Sequence, residues 1–425
     1  MSYRSLVIGL SVLASMLMPA LVLGQKEVEL AIRETGYHRL DIIIGEFKDE
    51  SVLGGGRPVF DILKQDLELS GYFRVLDGFE LVSDWGDTGN VHEKWATIGA
   101  DALVEGNVKR KGDEFEIDTF LSDLATGQLM TRRKISGDRQ RNVVHQVSDE
   151  VVKNLTGEKG IATTNIAFIW NKQGKWELCM ADYDGHNAQN LTTTRSLKIG
   201  PAWSPDGRLI AYTSFEDQDP DLFVWSFKEH RSRRLTRFPG MVAGASWSAD
   251  GRKIALTLTK DGNSEIYTMN SDGSRLRRVT RNPAIDCSPS WSPSGREIAF
   301  TSDRSGSPQI YVTDLDGTEL RRLTFTGEYN ESAAWSPKGD RIAYVAREAG
   351  FFDVWIIDPR GQHRRRITFK GTGNEDPAWA PDGRHLIYVS TRGHTEELVL
   401  TDLSGRLEYA LPIGEGDKEE PTWSP

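Results

Sequence analysis

Cysteine is nearly missing from this chain. Only Cys179 and Cys287 occur in 425 residues, and they fall in different sequence repeats, so no disulfide framework is expected. Basic charge is also short. With 52 Lys and Arg against 62 Asp and Glu, the net charge is −10, which disfavours nonspecific nucleic-acid binding because that requires a basic footprint. Catalytic signatures are missing too. No Gly-x-Ser-x-Gly elbow and no His-Glu-x-x-His pair occurs, which excludes the common hydrolase nucleophile turn and the zinc-peptidase helix. The glycine run Gly54-Gly-Gly has no Gly-Lys-Ser/Thr after it, so it reads as a loop and not as a phosphate cradle. The eight histidines are scattered and share no common spacing. A propeller lyase or lactonase with a channel metal would need His, Asp or Glu on the innermost strands, where Ala, Ser and Trp stand. No enzyme activity, metal or cofactor is expected.

Apolar runs long enough for a membrane are limited to the beginning. Arg4 precedes an apolar stretch from Leu6 to Leu23, interrupted by Pro19 and followed by Gly24 and the polar Gln25. This pattern predicts a secretory signal peptide over residues 1–24 and an exported, non-spanning mature chain. A retained anchor is the alternative, which Pro19 and the short apolar core disfavour.

What the chain does have is a repeat. Trp203-Ser-Pro-Asp-Gly, Trp247-Ser-Ala-Asp-Gly, Trp291-Ser-Pro-Ser-Gly, Trp335-Ser-Pro-Lys-Gly, Trp379-Ala-Pro-Asp-Gly and Trp423-Ser-Pro follow one another at steps of 44 residues. Other columns keep that phase, including Ile166-Ala-Phe, Ile210-Ala-Tyr, Ile254-Ala-Leu, Ile298-Ala-Phe, Ile342-Ala-Tyr and Leu386-Ile-Tyr. Each unit reads as four short strands separated by turn formers, with Pro and Gly setting the backbone of the first turn. Cys179 takes the slot of Phe223, Tyr267, Tyr311 and Trp355, a core position. Cys287 is placed in a loop between units.

A period in the forties with four strands per unit describes a propeller blade. The first unit lacks a tryptophan strand and the last tryptophan strand lacks a unit. These orphans combine if the carboxyl-terminal strand pairs beside the strand at Ile166, a closure that removes sheet edges. The expected architecture is a small N-terminal α/β domain over residues 25–158 followed by a six-bladed β-propeller over 159–425, closed by the C-terminal strand. An open solenoid is the alternative. In residues 26–158, strands at Ile42-Ile-Ile-Gly-Glu-Phe and Tyr72-Phe-Arg-Val-Leu alternate with a helix beginning at Pro58 and another near 91–98. A last helix near 139–155 aligns Val143, Val144, Val147, Val151 and Leu155 on one face.

Several segments carry a family resemblance. Trp95-Ala-Thr-Ile-Gly-Ala-Asp-Ala-Leu-Val-Glu-Gly, Ser148-Asp-Glu-Val-Val-Lys-Asn-Leu-Thr-Gly-Glu-Lys-Gly, Asp182-Tyr-Asp-Gly, Leu411-Pro and Pro421-Thr-Trp-Ser-Pro resemble the TolB family of periplasmic propeller proteins in the Tol–Pal envelope system. The resemblance implies a non-enzymatic, monomeric adaptor. It implies docking of the peptidoglycan-associated lipoprotein Pal over the channel mouth and capture of an N-terminal strand by the inner-membrane protein TolA. It further implies a role in outer-membrane integrity and in envelope constriction during cell division. The matching strand is Glu27, Val28, Glu29, Leu30, Ala31, Ile32 and Arg33, whose alternation suits β-augmentation or packing on its own domain. A secreted propeller that binds a glycan or peptide in its channel is the competing function.

Repeat alignment also nominates a docking rim. The column four residues before each tryptophan reads Ile199, Ala243, Cys287, Glu331, Glu375 and Glu419; the next column reads Gly200, Gly244, Ser288, Ser332, Asp376 and Glu420. With Asp286, Met241 and Val242, these predict a half-acidic, half-apolar rim suited to protein docking: Met241, Val242, Asp286, Glu331, Glu375, Asp376, Glu419 and Glu420. Solvated loop acids, or a Ca²⁺ held by converging oxygens, are the competing readings. The arginine pairs at 233–234, 277–278 and 321–322 and the run 364–366 are expected on the outermost strands as a solvated rim.

Overall fold

The computed structural model describes residues 39–49, 56–78, 95, 98–216 and 219–425. The expected strand at 27–33, and most of the helix expected near 91–98, lie outside the described residues. Residues Arg39–Pro425 form one compact unit.

The amino-terminal part is an α/β layer. Its elements are β1 (Leu40–Asp49), α1 (Gly56–Leu69), β2 (Phe73–Asp77), β3 (Ala102–Lys111), β4 (Glu114–Asp123), β5 (Leu129–Gly137) and α2 (Gln140–Thr156). The sheet order is β2-β1-β3-β4-β5. β1 runs parallel to β2 and β3, whereas β3, β4 and β5 form antiparallel hairpins. Alternation in β1 decides the faces. Ile42 and Ile44 meet Val59, Phe60, Leu63 and Leu67 of α1 and Val143, Val144, Val147 and Val151 of α2, while Ile43 turns to Trp95, Ala100, Leu103 and Leu124. Both helices therefore cover one face, as their 3.6-residue apolar stripes require. Helix α2 ends at Gly157, whose φ of +75° is open to glycine at little cost.

A β-propeller follows. Four sheets have four strands each, and a further sheet of eight strands forms where Phe352 and Gly373 make a single parallel pair. The tryptophan-bearing strands are Lys198–Trp203, Val242–Trp247, Asp286–Trp291, Tyr329–Trp335, Gly373–Trp379 and Asp417–Trp423. Each packs against the next in that order, and the last packs against the first; they are the inner strands. Cys287 lies within one of them, not in a loop, because the strand begins at Asp286.

The carboxyl-terminal strand pairs antiparallel with Asn165–Lys172, Trp423 opposite Ile166. Side chains reinforce the pairing. Trp423 Nε1 donates to Thr164 Oγ1 at 2.7 Å, and the Asn165 amide donates to Ser424 Oγ at 2.8 Å. Tryptophans also tie neighbours together, since Trp247 Nε1 donates to the Ala202 carbonyl at 3.1 Å and Trp379 Nε1 to that of Ala334 at 2.9 Å.

Within the sheets one polar device repeats five times. At five outer edges the threonine two residues beyond the outer strand donates its hydroxyl to an acceptor near the start of the third strand: Thr192 to Glu177 (2.6 Å), Thr236 to Asp221 (2.9 Å), Thr280 to Glu265 (2.6 Å), Thr324 to Gln309 (2.9 Å) and Thr368 to Asp353 (3.0 Å). The same hydroxyls accept the amides of Leu178, Leu222, Ile266, Ile310 and Val354. Arg234, Arg278 and Arg366 pair with the acids of their own sheets. These arginines are thus not a solvated rim; each neutralises a buried carboxylate, which would otherwise be costly to desolvate.

Thr280→Val should remove two buried hydrogen bonds and leave Glu265 short of a donor. The expected loss is about 1–3 kcal/mol of unfolding free energy, measured by urea denaturation. Thr193→Val, next to the equivalent threonine but exposed, should change stability little.

Candidate functional site

The inner strands share an irregularity near their beginning, where the ladder to the second strand slips. The residue at the slip adopts a left-handed backbone: Gly200 (φ +62°), Gly244 (+59°), Ser288 (+53°), Ser332 (+52°), Asp376 (+49°) and Glu420 (+50°). Such bulges re-aim side chains. Glycine accepts this conformation freely, whereas a residue with a Cβ does so at a cost. Two sheets therefore carry strained acids where two others carry glycine.

The bulges of neighbouring strands touch. The Gly200 amide donates to Glu420 Oε2, and Ser332 Oγ lies 3.4 Å from Asp376 Oδ1. Tyr329 donates its hydroxyl to Glu331 Oε2 at 2.9 Å. Glu331, Asp376, Glu419 and Glu420 are half-buried and Glu375 is exposed. The resulting electrostatics are those of crowded like charges in a partly dry place. Burial, and then the charges of Glu420, Glu375 and Glu331, push Asp376 up to about 7. Burial followed by the neighbouring Glu396 pushes Glu419 up to about 8. Burial also raises Glu331 and Glu375. Burial raises Glu420 as well, opposed by the Gly200 amide.

The predicted rim residues divide. Glu331, Glu375, Asp376, Glu419 and Glu420 stand at the same end of three successive inner strands. Met241 is 40% exposed beside them in the repeat alignment. Val242 and Asp286 need correction as rim contacts. Val242 is fully buried in a core with Leu256 and Leu258, because it starts an inner strand and pairs with Leu258. Asp286 is fully buried and binds Arg304 Nη2 through both oxygens, at 2.9 and 2.7 Å, with Asn282 Nδ2 at 2.7 Å; its charge is already met inside the sheet. Residues Glu27–Arg33 lie outside the described residues.

Sequence reasoning missed three contributors. Leu197 (39% exposed) and Ile285 (52% exposed) occupy the column of Met241. The carbonyls of Leu197, Met241 and Ile285 accept the amides of Phe215, Thr259 and Asp303, which places them at the beginning of their inner strands, the end that carries the acids in the other three. The 44-residue phase contained that signal. Glu396, which crowds Glu419, had none, since its column holds Phe352 and Pro308 in the preceding repeats. The arrangement offers an apolar arc followed by an acidic arc, the composition of a protein-docking surface with a desolvated part and a charged part.

Comparison with known proteins supplies the context. Residues 152–425 match the family model for the TolB beta propeller domain, and residues 28–130 match that for the TolB amino-terminal domain. The chain is similar to the Tol-Pal system protein TolB of Anaeromyxobacter dehalogenans (strain 2CP-1), with 37% identity over 229 residues, 52% of either chain. It is also similar to that of Legionella pneumophila (strain Corby), with 32% identity over 194 residues, 44% of this chain and 45% of the relative. The matched stretch of the chain spans about half the length of these curated relatives. Among solved structures, TolB from Acinetobacter baumannii superposes with a TM-score of 0.80 at 29% identity, covering 91% of this chain and 97% of that one.

Asp376 and Glu419 have folded values above those of free carboxyls, so the stability they contribute is complete in acid and is lost as pH rises through about 7 to 8. Asp376→Asn, which cannot ionise and tolerates the left-handed backbone, should flatten the decline that sets in above the ordinary carboxylate value of about 4. Urea midpoints of the two proteins at pH values of about 5 and about 9 measure it; equal slopes would remove the crowding account.

Proposed function

The chain belongs to the TolB family, and on that premise we propose that it is a non-enzymatic periplasmic adaptor of a Tol–Pal envelope system, exported by its signal peptide. In this reading the mouth of the propeller docks a Pal-type peptidoglycan-associated lipoprotein. The segment Glu27, Val28, Glu29, Leu30, Ala31, Ile32 and Arg33 is captured by a TolA-type inner-membrane protein. The assembly ties outer membrane, cell wall and inner membrane together and serves outer-membrane integrity and constriction during division.

The observation that carries the docking reading is the gathering of Glu331, Glu375, Asp376, Glu419 and Glu420 with no ion pair to a basic side chain among the described residues, on a ring whose other three inner strands begin beside exposed Leu197, Met241 and Ile285. Elsewhere in the propeller, buried acids are matched by Arg234, Arg278, Arg304 and Arg366. Charge left unmatched at one rim suits a partner that brings the complement. The reading also takes the propeller as six blades over residues 159–425. Its support is the cyclic packing of the inner strands and the single parallel pair joining the two halves of the eight-stranded sheet. For the amino-terminal segment the support is its alternation of acidic and apolar residues, which suits strand addition to a partner's sheet edge.

Glu331→Lys combined with Glu375→Lys should weaken binding of the Pal-type lipoprotein by about tenfold or more with an unchanged melting profile, read by calorimetric titration and circular dichroism. Unchanged affinity would reject the rim. Deleting residues 26–33 should abolish capture by the TolA-type carboxyl-terminal domain in a pull-down while sparing Pal-type binding. Recovery of glycan alone from envelope extract would favour a generic channel binder instead.

A further inference from the structure

The α/β layer meets the propeller through a buried polar cluster centred on one carboxylate. Asp66 in α1 has a fully buried side chain. Its Oδ2 accepts the hydroxyl of Ser148 at 2.6 Å and lies 2.8 Å from Nδ1 of His145, both in α2. Its Oδ1 accepts the hydroxyl of Tyr183 at 2.7 Å, and Tyr183 stands in the turn that follows strand Lys175–Asp182 of the propeller's first sheet. The next residue, Asp184, is fully buried and takes Nη2 of Arg141 from α2. Two carboxylates, one from each side of the junction, thus flank α2.

His145 stands between them. It is 2% exposed, and its ring meets that of Tyr183 edge-on at a centroid distance of 5.6 Å. Its Nε2 has no hydrogen-bond partner. Further contacts also cross the junction: Leu69 of α1 is buried in the core that holds Tyr183, Ile387 and Leu411, Gln65 Nε2 donates to the Tyr409 hydroxyl at 2.6 Å, Arg384 covers the ring of Tyr72 at 3.9 Å, and Lys338 lies 3.6 Å from Glu158. The charged and titratable groups facing His145 and its partners are Asp66 from α1, Arg141 and Asp149 from α2, Tyr183, Asp184 and His186 from the turn after strand Lys175–Asp182, and Tyr409 from strand Glu408–Ala410.

We propose that Asp66, His145 and Asp184 form a proton-operated latch that holds the α/β layer on the propeller while His145 is charged and loosens when its proton leaves. The charge balance supports this. With His145 and Arg141 both cationic, Asp66 and Asp184 are each matched. With His145 neutral, Asp184 keeps Arg141 and the half-exposed His186, 3.3 Å away, but Asp66 loses its own cation, and an uncompensated buried charge is strongly unfavourable. Burial lowers the affinity of His145 for its proton, but the Asp66 hydrogen bond and the charges of Asp66 and Asp184 outweigh burial and the opposing Arg141, so its titration is raised above the ordinary histidine value. A raised folded value means that the latch is fully closed below about 6.5 and opens as pH rises through the higher folded value. The latch goes beyond the adaptor reading and needs no partner, so either can fail without the other.

The experiment uses the full mature chain. Carbon-13 labelling of the histidine rings gives the titration of His145, assigned by the signal missing in His145→Gln. Hydrogen exchange of α2 and of residues 182–187, corrected for intrinsic rates, reads the junction between pH values of about 5.5 and about 8.5. The expected results are a His145 midpoint above about 6.5 and junction exchange that quickens by about tenfold or more across that range, while His145→Gln exchanges fast at both ends. Asp184→Asn, which keeps Asp66 and Ser148 in place, should move the His145 midpoint down and provides a second route should the glutamine variant not fold. A midpoint at or below the ordinary histidine value, a pH-independent junction, or an unaltered midpoint in Asp184→Asn would overturn the latch.

Discussion

Everything in the propeller depends on the pairing of its last strand with its first. Strand Asp417–Trp423 lies against Asn165–Lys172, joining residues some 250 positions apart. Such a contact is entropically slow to find, yet it brings the final inner strand between its two neighbours. Without it the first sheet would lack its inner member, and Glu419 and Glu420 would have no fixed place beside Asp376 and Gly200. The side-chain bonds at Trp423, Thr164 and Ser424 cluster at that seam, where an open ladder edge would otherwise invite foreign strands.

Polar chemistry is used in two opposite ways across the propeller. Toward the outside, carboxylates at the start of the third strands receive a threonine hydroxyl and a cation: Lys198 for Glu177, and Arg234, Arg278 and Arg366 for the others. Those groups fix the register of the outer strands. Toward the axis, acids crowd one another, and Asp376 and Glu419 hold their protons to unusually high pH. Outer carboxylates are thus balanced by cations, whereas the crowded acids of the inner strands relieve their mutual repulsion by retaining protons.

How much of this was legible depends on whether a feature repeats. The 44-residue phase revealed the strands, the turns and the column of acids, because each recurs with the same chemistry at the same spacing. It also contains the Leu197, Met241 and Ile285 column, whose exposure three apolar side chains alone do not signal. Val242 and Asp286 were misplaced because burial depends on partners elsewhere: Leu258 on the adjoining strand, and Arg304 in the following hairpin. The arginines looked solvated because their acids lie 13 residues earlier on a neighbouring strand. Asp66, His145 and Asp184 belong to different elements and share no period, so no pattern could announce them. Their convergence is a property of the docked domains alone.

The seam has a mechanical consequence. Trp423 lies opposite Ile166, so the end of the last strand and the beginning of the first sit side by side. Tension between the carboxyl terminus and the α/β layer would open this ladder from one end, one rung at a time, rather than sliding all its rungs at once. Peeling needs far less force than shearing the same number of bonds. A tether on the carboxyl tail would thus make the ring tear at its weakest geometry, whereas traction entering through the amino-terminal side and leaving through the channel mouth bypasses the seam.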